Sequence, residues 1–102
     1  MASLNIHLQE GFENDAVTLR VDGREVYAKA ALSTRTQIGL ADLIELEVPD
    51  PRDHVLIEVS VPTRHQYASF PVALRQTPWV GVSLNRDGRI EHRESSVLMG
   101  YL

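Results

Sequence analysis

The chain has 102 residues, 43% of them hydrophobic and 24% charged, which suits one folded domain spanning 1–102 with a single core and argues against disorder. Its net charge of −4 argues against nucleic acid as a partner, and no apolar run approaches the roughly 20 residues of a membrane helix. With zero cysteines there are no disulfides or thiolate metal sites, and "MASLNIHLQEG" lacks a basic start and a continuous apolar core, so the expected location is cytoplasmic.

Strand patterns begin at once. "SLNIHLQ" alternates Leu4, Ile6 and Leu8 toward one face, with His7 on the other. "AVTLRVD" alternates Val17, Leu19 and Val21 and runs into Asp22-Gly23, a strong two-residue hairpin signal. That turn sets Arg20 opposite Glu25 and Leu19 opposite Val26. "REVYAKAAL" continues as a third strand, and "TQIGLADL" has room for one helical turn.

In "LIELEV", Ile44, Leu46 and Val48 share a face opposite Glu45 and Glu47. The proline-bound turn "PDPRD" (49–53) leads into "HVLIEVSV", with Val55, Ile57, Val59 and Val61 inward and Glu58 and Ser60 outward. "YASFPVALR" turns Phe70, Val72 and Leu74 inward, while Pro71, which cannot donate to a ladder, confines this strand to an edge or a bulge.

"WVGVSLN" and "RIEHRES" form a closing hairpin with Arg86-Asp87-Gly88 as its loop. A two-residue loop would set Asn85 against Ile90; the three-residue loop pairs Leu84 with Ile90 and Val82 with His92 on one side. Gly88 then takes the left-handed position of a type I turn with a bulge. His92 is expected to be partly buried. Pairing the sixth strand with the seventh, Val72 opposite Val82, sets Gly81 against Ala73 and leaves a flat outer patch beside Trp79. The tail "SVLMGYL" is expected to pack on an open edge.

No segment sustains a helical period. Regularly spaced strands with short turns predict an antiparallel β-sandwich of seven to eight strands, similar in general manner to immunoglobulin-like or transthyretin-like domains. In a purely antiparallel chain successive connections alternate between the two ends. One end then collects 9–15, 33–42, 62–66 and 85–88, the longer polar loops where binding usually sits.

That end carries Arg35, Arg64, His65 and Arg86 beside Glu10, Glu13 and Asp15. Thr34-Arg35-Thr36-Gln37 echoes Thr63-Arg64-His65-Gln66, so Arg35, Gln37, Arg64, His65, Tyr67 and Arg86 are the candidate ligand-binding residues, suited to forked hydrogen bonds with an anion or a sugar. The acidic neighbours offer the plainer alternative of a surface charge network. Trp79 and Gly81 are the candidate interface.

His7, His54, His65 and His92 show no metal-ligand spacing, and no glycine loop, nucleophile elbow or paired carboxylate marks an active site; no metal or cofactor is expected. Three readings remain. The first is a non-catalytic binding or assembly module that forms a homo-oligomer or takes another protein partner. The second is a small-ligand or carbohydrate-binding domain using the loop end. The third is an enzyme whose site needs another chain.

Overall fold

A computed structural model describes residues 2–35, 37, 39–48, 54–73 and 79–95. They form eight strands: β1 (Ala2–Leu8), β2 (Asp15–Val21), β3 (Arg24–Leu32), β4 (Asp42–Val48), β5 (Val55–Val61), β6 (Gln66–Val72), β7 (Trp79–Leu84) and β8 (Ile90–Ser95). One four-stranded sheet, A, runs β4-β1-β7-β8 and the other, B, runs β3-β2-β5-β6. The core lies between them. Leu4, Ile6 and Leu8 of β1 and Val80, Val82 and Leu84 of β7 pack against Val17 and Leu19 of β2 and the inward valines of β5.

Period-two patterning chose these faces because burying one side of each strand removes apolar area from water at about 25 cal/mol per Å². Ile44 is buried and Leu46 and Val48 half-buried, while Glu45 and Glu47 stay exposed. The closing hairpin has the expected register, Leu84 opposite Ile90 and Val82 opposite His92. Asn85 accepts the Gly88 N–H and donates its own to Arg89, and Gly88 has φ +77°. Pro71 lies on β6, an edge strand paired only with β5 among the described residues.

Four expectations need correction. Sheet A is mixed: β1 and β7 are parallel, with Ile6 beside Val80 and Leu8 beside Val82. Alternating connections still give all odd-numbered strands one direction, so β1 and β7 become parallel once they are neighbours. β6 and β7 belong to different sheets, so Val72 faces Val55, and Gly81 faces His7 and Arg93 instead of Ala73. A face pattern fixes which side of a strand is buried and leaves its neighbour open.

The Asp22-Gly23 turn pairs Arg20 with Glu25 as expected, but an irregularity then sets Leu19 opposite Tyr27 instead of Val26. The shift brings the Tyr27 ring to the inner side, where its hydroxyl donates to Asp42 at 2.8 Å and ties β3 to β4 across the layers. Finally, His92 is exposed; its imidazole stacks on Phe70 at 3.7 Å with planes 3° apart, joining β8 to β6 at the opposite rim.

Among the described residues of the 33–42 connection, the Gly39 N–H donates to the Arg35 carbonyl and Arg35 forms a bridge with Leu40. The placements proposed for Thr36, the 49–53 turn, Leu74, the 75–78 connection and the tail lie outside the described residues.

Candidate functional site

The four polar connections meet at one end of the sandwich, and the loop after β1 is their centre. The Thr34 N–H donates to the Phe12 carbonyl at 2.9 Å. The Thr34 hydroxyl accepts the Phe12 N–H at 3.1 Å and donates to the Gln9 carbonyl at 2.6 Å. Leu84 N–H donates to Glu10 at 2.8 Å, tying the same loop to the end of β7. Ser33 accepts the Asn14 N–H. These bonds hold the Phe12 ring, 3% exposed, over the end of the core.

Asp15 is the hub, and it is 2% exposed. Its Oδ1 accepts from the Thr63 hydroxyl at 2.7 Å and from Arg64 Nε at 2.9 Å; its Oδ2 accepts from Arg64 Nη2 at 3.2 Å and from the Glu13 N–H at 2.9 Å. Burial pushes the carboxyl's pKa up. The Arg64 hydrogen bonds, the Glu13 amide, the Thr63 hydroxyl and the Arg64 charge outweigh that and hold it below the ordinary carboxylate range. Such a group stays ionised at neutral pH and fastens the β1–β2 loop to the 62–64 turn.

This arrangement divides the candidate ligand residues. Arg64 is turned inward onto Asp15, and both echoing threonines, Thr34 and Thr63, are spent on the β1–β2 loop. Arg35, Gln37, His65 and Arg86 are exposed at the same end. His65 follows the 62–64 turn with φ 54° and donates its N–H to the Pro62 carbonyl. Tyr67 stands apart on the outer face of sheet B, 59% exposed, its hydroxyl donating to Glu58 at 2.5 Å. That bond raises the phenol's pKa.

The candidate interface is also divided. Trp79 is half-buried on the outer face of sheet A and makes a T-shaped contact with His7, with ring centroids 5.8 Å apart and planes at 83°. His7 is on the outer side as expected, yet only 5% exposed, and desolvation lowers its pKa. Gly81 is buried and no flat patch exists there: a Cβ built on it would lie 2.6 Å from Gln9 Oε1, so the Gln9 side chain occupies that space.

Sequence reasoning missed Asp15 and Gln9 as buried polar residues. Asp15 carries a signal, since it falls in phase with the inward series Val17, Leu19 and Val21. Among the described residues, no group of three or more His, Cys, Asp or Glu is placed to hold a metal ion, and no helix is long and apolar enough to cross a membrane. Comparison with known protein families, curated proteins and solved structures finds no match.

Proposed function

We propose that the chain is a non-catalytic assembly module that associates with further copies of itself by joining strands at an open sheet edge. One observation carries this reading: each four-stranded sheet ends, among the described residues, in strands hydrogen-bonded on one side only. Their outer N–H and C=O groups form a template that another strand can complete. The polar loop end weighs in the same direction, because its best-placed cation and hydroxyls are engaged in holding the fold together.

The finer fold fits the transthyretin-like arrangement better than the immunoglobulin one. An immunoglobulin constant-type domain keeps its first two strands in one sheet, whereas here β1 and β2 lie in different sheets.

Light scattering coupled to size exclusion, at tens of micromolar chain, tests the reading. A mass of two or more chains is expected, and a monomer at every concentration overturns it. The second reading, a small ligand or carbohydrate at the loop end, draws on the exposed Arg35, Gln37, His65 and Arg86. It requires that a sugar or anion raise the melting temperature and that Arg35→Ala remove the effect.

A further inference from the structure

The four edges are not equally open to a second copy. The β2–β3 ladder shifts register twice, between Asp15 and Val17 and between Leu19 and Arg20, which spoils β3 as a regular template. β4 carries Asp42, Glu45 and Glu47 with no cation, so another β4 meets it with like charge. β6 lacks the N–H of Pro71. β8 is different: its ladder with β7 is unbroken from Trp79–Ser95 to Leu84–Ile90, and it holds Glu91, Arg93 and Glu94 without proline.

The hydrogen-bonding phase of β8 follows from its own hairpin. Asn85 and Arg89 face each other through the Asn85 N–H to Arg89 carbonyl bond. Alternation along an antiparallel ladder then turns the backbone groups of Glu91, Arg93 and Ser95 toward β7, and those of Ile90, His92 and Glu94 toward the flank that no described strand covers. A second β8 arriving antiparallel across a two-fold axis can engage those outer groups with the axis at Glu91, His92 or Arg93. An axis at Glu91 places the two Glu91 residues face to face, and one at Arg93 does the same for the arginines. An axis at His92 sets each Glu91 opposite the other copy's Arg93, twice over.

We infer that two copies of the chain pair through β8, antiparallel and centred on His92, with reciprocal Glu91–Arg93 ion pairs across the join. This rests on the self-association reading and names its edge and register. About six backbone hydrogen bonds form, two at each of the pairs 90–94, 92–92 and 94–90. The two charged pairs fall at the non-hydrogen-bonded positions, where opposing side chains approach most closely. Both residues are exposed on the same outer side of sheet A, since Glu91 faces Ser83 and Arg93 faces Gly81. The His92–Phe70 stack holds β8 against β6, so the edge is ordered before the partner arrives. The product is one continuous sheet with a closed two-fold symmetry.

A charge exchange tests the edge and the register together. Glu91→Arg and Arg93→Glu each place like charges at both pairs, and each variant alone is expected to bind itself about a hundredfold more weakly than the wild type. Mixed in equal amounts, the two variants regain opposite charges at both pairs, and a heterodimer forms. Sedimentation velocity reads the masses and circular dichroism confirms the β-sheet content. A wild-type monomer defeats the self-association reading itself. Wild-type dimers that survive Glu91→Arg unchanged leave that reading standing and overturn β8. Two monomeric variants that stay monomeric on mixing overturn the register. Because the chain has no cysteine, Glu91→Cys mixed with Arg93→Cys under mild oxidation gives a second readout. Disulfide-linked heterodimers in excess over either homodimer are expected, and their absence counts against the inference even where a charge variant fails to fold.

Discussion

Replacing Asp15 by alanine is the sharpest probe of the loop end. The substitution removes a carboxylate that is 2% exposed and accepts four hydrogen bonds. Bonds to a charged acceptor contribute about 1.5–3 kcal/mol each when fully desolvated, but these are not additive here. The Arg64 side chain is 34% exposed and can turn to water, and Thr63 is exposed as well, so their share is discounted for solvent screening. What cannot be recovered cheaply is the Glu13 amide and the packing of the β1–β2 loop over Phe12. The expected loss is about 3 kcal/mol, or about 12 °C in melting temperature for a domain of this size.

Thermal and urea unfolding followed by circular dichroism measure it. Arg64→Ala should cost less than half as much, and the double variant should fall short of the sum by about 1 kcal/mol. Acid adds an independent check. A carboxyl held below its unfolded value stabilises fully above about pH 4, and that stability disappears as pH falls through the depressed folded value. Asp15→Ala should therefore flatten the acid limb of the stability profile. A loss below 0.5 kcal/mol, roughly the surface-substitution range, together with an unchanged acid limb, would refute the hub assigned to Asp15.

Two further predictions concern backbone space and the tyrosine at the rim. Gly11 has φ +91°, and a Cβ there would overlap the Leu84 carbonyl oxygen, so Gly11→Ala should prevent folding or cost several kcal/mol. Gly88→Val, where Arg64 Nη1 lies 3.4 Å from a built Cβ, should cost about 1–2 kcal/mol by strain alone; equal melting temperatures for the two variants would contradict the close approach at Gly11. Tyr27 is half-buried, and burial with its bond to Asp42 raises its pKa above the usual phenol value. Its stabilisation is complete below about pH 10 and is lost as pH rises toward the folded value, so Tyr27→Phe should cost about 1 kcal/mol at pH 7 and flatten the alkaline limb. An alkaline limb identical in both proteins removes Tyr27 as its cause.

Much of this architecture is legible in local sequence. The inward series of β5 and the register of the closing hairpin follow from alternation and turn length, because a slip of one residue exposes a whole apolar set. Pro71 marks an edge through its missing donor, and alternating connections gather the four polar loops. The neighbours of a strand are another matter. Val80, Val82 and Leu84 pack equally well wherever β7 is inserted in a sheet, so nothing in "WVGVSL" names β1 as its parallel partner. The irregularity opposite Leu19 comes from one extra residue in β3, and "REVYAKAAL" shows no glycine to announce it. At the loop end, sequence brought Arg35, Gln37, Arg64, His65 and Arg86 to one place, left Tyr67 wrongly among them, and left the directions of all undecided. Whether Arg64 reaches outward to a ligand or inward to Asp15 depends on the depth at which Asp15 sits, a property of the packed loops.

The parallel pairing of β1 with β7 bears on the order of folding. β2, β3, β5 and β6 can zip into their sheet by successive antiparallel pairings once residue 72 is available. The middle of the other sheet waits for Trp79–Leu84, because β1 has no second neighbour until β7 arrives. Joining segments from nearly opposite ends of the chain closes a long loop before it returns any contact, which slows that step. A ribosome delivering the chain from its amino end therefore releases β1 well before β7, with one flank of its backbone bare until β7 emerges. Leu4, Ile6 and Leu8 sit on that half-paired strand throughout the interval, and the rate of synthesis between β4 and β7 sets how long it lasts.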